Sequence, residues 1–441
     1  MLNHVLKLKH LGPVQECVLS VNRFTVLTGP QSNGKSTVAK AVYFFRSIKQ
    51  DIMNIMMQGG PKMVAGRADA HWERTLKQRM RDKFLQLFGT SWIMPTDMEM
   101  KYFYTDKFWL RVYLRDSLED NRNFVEFEFS ESFQEYLNDL DAHSFVNITQ
   151  GQKNHEEDAL AKKLDDPYET VFIPAGRNLI TLLSTQLNYI FTSLDELQLR
   201  NMDYITRKYT ELILKLKPLF GDGMAGLLFD LENDPNQMKR YKAHRSAIHL
   251  LMENAETVLQ GSYQYVDGEE RLNLSNTDGY VKINFASSGQ QEIVWVFNLL
   301  FYYLLENRRV FLILEEPESH LYPESQQTIG EVLALFCNEK NAELLTTHSP
   351  YMLGTFNYLL LAGQVPDSKA DILEKTLHKR YWINPNIASA YHVHDGKLKN
   401  AMDTEDDLIL IDNSLIDGAS RRINEISDNI IELLDSEAGE A

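Results

Sequence analysis

The sequence predicts an α/β fold, a mixed sheet with flanking helices that carries an inserted β segment and a helical lobe. Three observations predict it. The apolar run Arg23–Leu27 ends in a glycine-bearing turn and continues into a helical pattern over Val38–Ile48, a strand–loop–helix unit. A second apolar run, Val310–Leu314, stops at two acids, as a buried parallel strand does. Between them, 101–106, 108–116 and 124–132 alternate apolar and polar residues, the mark of half-buried antiparallel strands.

The 441 residues are 44% hydrophobic and 24% charged, a globular composition, and the length suggests two or three domains of about 150 residues. Cys17 and Cys337 are too few for a disulfide framework or a Cys-rich metal site, which fits a reducing compartment. The opening MLNHVLKLKHLG is broken by Lys7, Lys9 and His10 and does not read as a signal peptide. The longest apolar run, Ile293–Leu305, is too short to span a bilayer. The expectation is a cytoplasmic protein with no membrane partner. A net charge of −17 argues against a surface wrapped in nucleic acid but leaves room for a local basic groove.

In chain order, residues 1–50 form the first half of the core, beginning with strand-like Val5–Lys9 and Glu16–Leu19. Residues 51–169 are an insertion, helical and Met-rich first, then the three alternating strands, then a polar helical stretch over 133–166. A strand over Thr170–Pro174 opens a mostly helical lobe, 170–262, interrupted at Asp222, Gly223 and Pro235. Residues 263–362 form the second half of the core. Turn signals at Asp267-Gly268 and Asp278-Gly279 come first, then a helix to Leu305, the strand Val310–Leu314, a helix after Pro323, and the strand Glu343–Thr347. The remainder, 363–441, reads as an extension in which Asp403–Asp407 is a solvated turn and Ile423–Leu434 a helix before an acidic tail.

The strongest motif is Gly29-Pro30-Gln31-Ser32-Asn33-Gly34-Lys35-Ser36-Thr37, a P-loop with a strand before it and a helix after it. Its glycines let the backbone curl so that several N–H groups converge on a phosphate chain, and the helix N-terminus adds positive dipole. Lys35 supplies a point charge for the β- and γ-phosphates, and Ser36 a hydroxyl for Mg2+. At the end of Val310–Leu314, Glu315 would hold the metal or its water, and Glu316 would polarise an attacking water. Ser288-Gly289-Gln290-Gln291 opens a helix. Alone it would be a plain serine cap; beside a P-loop it is a second anion-binding terminus. His348, in Thr346-Thr347-His348-Ser349-Pro350, stands where a polar residue senses a γ-phosphate, and on its own would read as a surface histidine. Arg177, just past a strand end, is a candidate nucleotide-site arginine, with a surface arginine paired to an acid as the even alternative. The order P-loop, Ser-Gly-Gln, Glu-Glu, His is far more specific than any one motif.

In that order the chain resembles the ABC-type ATPase superfamily. Ser288-Gly289-Gln290-Gln291 stands where its signature stands, with Gln290 replacing the second glycine; Glu315 and Glu316 match the end of Walker B and the catalytic glutamate. Ser319–Pro323 occupies the D-loop region, and His348 matches the switch histidine. The long stretch between Lys35 and Ser288 suits the soluble branch that includes SMC, RecF-like and OLD ATPases. The phrases FASSGQQE, ILEEPESHLYP and TTHSPYML look most like OLD-like ATPases of antiphage systems, among which a PARIS-like ATPase subunit fits. The resemblance covers about 1–48 and 280–360.

It implies binding and hydrolysis of ATP with Mg2+, catalysis by Glu316, Lys35 and His348, and metal ligation by Ser36 and Glu315. Gly29 to Thr37, Ser288, Gly289, Gln291 and Arg177 would contact nucleotide. It also implies head-to-head dimerisation, a separate nuclease or toxin effector, and a phage-encoded trigger. The stretch after His348 is too short for the Toprim nuclease domain usual in OLD proteins, so an effector would be another chain. The alternative is a DNA-repair or chromosome-handling ATPase that clamps DNA. For DNA the candidates are Arg74, Lys77, Arg79, Arg81 and Lys83, and Lys239, Arg240, Lys242 and Arg245, against the commoner reading of solvated helix faces. The alternating aromatics Tyr102, Phe103, Tyr104, Phe108 and Trp109 read as sheet core rather than a base-stacking platform.

Overall fold

The structure, a computed structural model, describes residues 3–61, 71–117, 122–141, 149–182, 203–234, 242, 244–405, 407–412 and 414–415. Strands β1 (His4–Leu11) and β2 (Val14–Val21) form a hairpin with alternating burial. β3 (Phe24–Thr28) is buried throughout and leads into α1 (Lys35–Arg46), α2 (Ile48–Met57) and α3 (Trp72–Phe88). The alternating segment folds as β4 (Glu99–Phe103), β5 (Trp109–Ser117) and β6 (Arg122–Phe129), antiparallel as its period-2 pattern predicts. Helices α4 (Glu131–Asp141) and α5 (Gln150–Lys163) precede β7 (Glu169–Ile173).

The described part of the helical lobe comprises α6 (Tyr204–Leu216), α7 (Gly223–Asn233) and α8 (Arg245–Leu259). A small sheet of β8 (Gly261–Val266), β9 (Glu269–Leu274) and β10 (Tyr280–Lys282) follows. Its first turn is Asp267-Gly268, both at positive φ as a two-residue hairpin requires. Then come α9 (Ser288–Leu305), β11 (Val310–Glu315), α10 (Pro323–Asn338), β12 (Ala342–Thr347), α11 (Pro350–Ala362) and α12 (Asp367–Leu373). The chain closes with β13 (Ala388–His394), β14 (Lys397–Asn400), β15 (Met402–Glu405) and β16 (Leu408–Ile411).

One mixed sheet of 11 strands organises these elements in the order β6-β5-β4-β1-β2-β14-β13-β3-β12-β11-β7. From β13 to β7 it is parallel; from β6 to β2 it is antiparallel. Both faces are covered. Val310, Leu312 and Leu314 of β11 face a core built with α6, α8, α9, α10 and α11, while Phe311 and Ile313 face a second core built with α1 to α5. A strand buried on two sides has no polar positions to alternate, which is why β11 reads as a continuous apolar run.

Several findings depart from the sequence reading. The insertion's strands, expected only to be antiparallel, join the main sheet: β4 pairs with β1 and extends it. The presumed extension supplies β13 and β14, which lie between β3 and β2. Asp403 is in a strand, since β15 pairs with the apolar β16. Tyr102 and Tyr104 are core, while Phe103 and Trp109 are half-buried on the opposite face because adjacent strand residues point to opposite sides. The expected helix over Ile423–Leu434, its acidic tail, and Lys239 and Arg240 lie outside the described residues. Among the described residues no helix is long and apolar enough to cross a membrane.

Candidate functional site

The carboxyl ends of β3, β11, β12 and β13 meet at one sheet edge, where open α/β sheets place their ligands. The 29–37 loop caps β3. Gly29 sits at φ 137°, and a Cβ there would stand 2.2 Å from the carbonyl oxygen of Val393 in β13. Gly34, at φ 109°, starts α1, and a Cβ there would stand 2.7 Å from Val14. Both positions require glycine: the backbone is left-handed and the neighbours leave no room.

Lys35 is folded into its own loop. Its Nζ donates to the carbonyls of Gly29 at 2.7 Å and Pro30 at 2.8 Å, and lies 3.4 Å from His348 Nδ1. Burial lowers its pKa to about 8, against the raising influence of Glu316, Glu318 and Glu315. The loop, Pro13, Glu316, Thr346 and His348 enclose a cavity of about 330 Å3.

Glu315 ends β11 with its side chain buried. One carboxylate oxygen accepts from the Ala175 amide at 3.4 Å, the Ser36 hydroxyl is near enough to favour its charged form, and Oε1 has no hydrogen-bond partner among the described residues. Burial raises its pKa above the usual carboxylate range. A buried carboxylate with an open oxygen beside a hydroxyl fits a magnesium ion, which takes one or two protein oxygens and keeps its waters. Among the described residues no group of three or more His, Cys, Asp or Glu forms a richer metal cluster.

Glu316 is half-exposed and sits at φ 45°, a strained conformation for a residue with a side chain. Its amide donates to the Thr346 carbonyl at 2.9 Å, Ser319 Oγ donates to Oε2 at 3.3 Å, and Oε1 lies 3.2 Å from His348 Nε2. His348 thus stands between Lys35 and Glu316. Its own position is set by Glu318, whose Oε1 accepts from Thr347 Oγ1 at 2.6 Å and from the His348 amide at 2.8 Å.

Arg177 is not on an open surface. Its guanidinium donates to the carbonyls of Glu292, Pro174, Glu315 and Glu316 at 3.0, 2.9, 2.6 and 2.9 Å, and its Nε pairs with the Glu292 carboxylate at 3.1 Å. It ties β7, α9 and the end of β11 together and presents no exposed face.

The Ser288 segment is organised by its own cap. Ser287 and Gln290 form a reciprocal capping box at the start of α9. Ser288 is exposed, and Gly289 is buried against the His320 carbonyl, 2.7 Å from where a Cβ would stand. Gln291 is turned inward, donating to the carbonyls of Ile283, Asn284 and Ala286. Neither Ser288 nor Gly289 lines the cavity around the 29–37 loop.

Sequence reasoning missed three contributors: Glu318, Pro13 in the β1–β2 turn, and the β13–β14 turn, where the Asp395 amide donates to Asn33 at 2.9 Å. An acid two residues beyond Glu316 was the only signal for the first. The other two reach the site only through strand order.

Residues 76–353 match a family described as AAA ATPase domain (AAA_15). The match takes in Ser288, Glu315, Glu316 and His348 and begins after the 29–37 loop. No curated protein matches the chain. Among solved structures, the Smc head domain of Pyrococcus furiosus, bound to the C-terminal domain of ScpA, is 13% identical, covers 96% of this chain and 98% of its own, and has a TM-score of 0.36. An SmcHead bound to the C-winged helix domain of ScpA is 12% identical over 92% and 97%, TM-score 0.38. The SMC head domain from Thermotoga maritima is 11% identical over 91% and 98%, TM-score 0.36.

Proposed function

The chain belongs to the AAA ATPase domain family, and from that premise we propose that it binds ATP with Mg2+ at the 29–37 loop, hydrolyses it, and works as a head-to-head dimer. The observation that carries this reading is the convergence of Lys35, Ser36, Glu316 and His348 on one cavity, with the buried carboxylate of Glu315 at the end of the strand that carries Glu316. Lys35 would leave its loop carbonyls for the phosphates, and Ser36 and Glu315 would hold the metal, which neutralises phosphate charge. Glu316 would orient the attacking water, with His348 reporting the γ-phosphate between Glu316 and Lys35. Arg177 acts as a positioning residue: by holding the Glu315 and Glu316 carbonyls it links their placement to α9, whose first turn carries Ser288.

Dimerisation is supported by the signature segment. Ser288 is exposed at a capped helix start yet lies outside its own chain's phosphate cavity, so its natural ligand is a nucleotide held by a second copy. At the cellular level we assign the chain to the cytoplasm, as the sensor or scaffold subunit of an antiphage system that controls a separate nuclease or toxin and answers a phage-encoded trigger. The resemblance of FASSGQQE, ILEEPESHLYP and TTHSPYML and the net charge of −17 support this over a DNA-clamping head.

The test is Glu316→Gln. ATP turnover falls about 10²–10³-fold, and an ATP-dependent dimer accumulates in light scattering. Lys35→Ala instead loses nucleotide affinity and forms no such dimer. Wild-type turnover in Glu316→Gln would remove Glu316 from the mechanism.

A further inference from the structure

The basic runs serve the fold: Lys77 pairs with Glu73, Lys83 with Asp51 and Arg245 with Glu232, while Arg81 donates to the Val125 carbonyl. A charge that packing alone does not account for lies beside the nucleotide loop. Glu318, two residues beyond Glu316, is 9% exposed, and its Oε2 is buried with no hydrogen-bond partner among the described residues. A buried carboxylate oxygen left unsatisfied costs stability, and a group retained at that cost calls for a role.

The role lies with the other oxygen. Oε1 accepts from Thr347 Oγ1 at 2.6 Å and from the His348 amide at 2.8 Å. Thr347 Oγ1 in turn accepts from the Ser349 amide at 3.0 Å, and Ser349 Oγ caps the first turn of α11. One carboxylate oxygen therefore fixes the turn that runs from β12 through His348 into α11. The Glu316 amide and the Thr346 carbonyl also join the ends of β11 and β12, but Glu318 is the contact that reaches the backbone of the histidine. The ring of His348 touches groups that would turn to ligand: Lys35 Nζ at 3.4 Å and Glu316 Oε1 at 3.2 Å. Once Lys35 turns to phosphate and Glu316 to water, the backbone contact with Glu318 still holds the ring in place.

We propose that Glu318 is the positioning residue that makes this site prefer ATP over ADP: by holding the Thr347–His348 backbone, it keeps the His348 ring where a terminal phosphate is read. The inference rests on the reading of His348 as the residue that meets the γ-phosphate. Lys35 and the loop amides serve phosphates that ADP also carries, so displacing His348 weakens ATP and spares ADP. The charge of Glu318 also acts on Lys35, and an effect by that route would weaken both nucleotides.

The experiment is calorimetric titration of the full chain, with Mg2+, by ADP and by a non-hydrolysable ATP analogue. Two variants separate reach from charge. Glu318→Asp keeps the charge but is too short to reach both donors, and its preference for the analogue over ADP falls about tenfold, the scale of a hydrogen bond to a charged group. Glu318→Gln loses the charge, but its amide oxygen still accepts from both donors, and the preference is retained. Glu318→Ala, which removes the group altogether, repeats the loss and serves as the second variant. ADP affinity stays at the wild-type value throughout and reports that each variant is folded. In a His348→Ala background Glu318→Asp causes no further loss, because the two residues act as one unit. Wild-type preference in Glu318→Asp and Glu318→Ala, or additive losses in the double variant, overturns the proposal. A loss in Glu318→Gln as large as in Glu318→Asp also overturns it and assigns the effect to charge on Lys35. A wild-type chain that binds ADP and the analogue equally overturns it too, while leaving the turnover test of Glu316→Gln untouched.

Discussion

At the scale of single residues, the nucleotide edge is a set of charged groups held in place by backbone carbonyls. Lys35 is held by two of them and Arg177 by four; Arg177 is fixed in place, whereas Lys35 would exchange its two carbonyls for phosphate oxygens. The Lys35 value of about 8 has a measurable consequence. Burial disfavours the charged form, so the free site holds Lys35 charged below pH 8 and neutral above it. The phosphates need the charged form, and affinity for MgATP therefore falls as pH rises. At pH 9.5 the charged fraction is down about 30-fold, and titration of a fluorescent ATP analogue at pH 7 and 9.5 should show a loss approaching that size. In Lys35→Arg, whose guanidinium stays charged across this range, the loss should be absent. Glu316 and the histidine beside it show what residue-level pattern conveys. The type and order of these side chains were legible because each stands within a few residues of a strand end or a glycine turn that the sequence itself marks. The role of Arg177 was not legible, since an arginine after a strand end reads the same whether it faces solvent or four buried carbonyls.

At the scale of elements, α1 is anchored at both ends. Its start is the phosphate loop; its last residue, Arg46, enters a buried cluster. Arg46 bonds Asp166 at 2.6 Å and His4 at 3.1 Å and lies over the Phe311 ring at 3.8 Å, while His4 also meets Tyr102 at 2.9 Å and the Leu164 carbonyl at 3.1 Å. The cluster joins α1 to β1, β4, β11 and the segment before β7. Burial first, and then Arg46, lower the His4 pKa from 6.5 to about 4. Between those values the unfolded chain binds a proton that the folded chain refuses, so stability is present above pH 6.5 and is lost on acidification towards 4. From pH 7 to 4.5 this group alone removes about 2 kcal/mol. Urea unfolding at the two pH values should show that loss in wild type, and His4→Gln should have a shallower pH slope. Element types were largely readable, since the 2- and 3.6-residue periods record which faces are buried. Sheet membership was not: the insertion's alternating strands carry no information on whether they pair with each other alone or also with β1, because pairing partners far apart in sequence leave the same pattern.

At the scale of the whole molecule, the β13–β14 hairpin decides the architecture. It fills the position between β3, at the edge of the parallel half, and β2, at the edge of the antiparallel half, and its turn contacts the phosphate loop through Asp395 and Asn33. A chain lacking residues 388–400 would expose the edge of β3 and separate the two halves. Its soluble yield should fall sharply, with aggregation seen in size-exclusion chromatography, and any soluble fraction should bind ATP weakly. By itself, the sequence determined which side chains stand at the carboxyl edge: a glycine loop with Lys35 and Ser36, acids at the end of an apolar strand, and a histidine after the next one. It could do so because each of those roles depends on a few neighbouring residues in fixed order. Only the tertiary structure decided that one sheet holds both halves, and that Arg177 and Gln291 point inward. Those outcomes depend on contacts between residues hundreds of positions apart, and strand order and side-chain burial are settled only when the two cores close on the sheet.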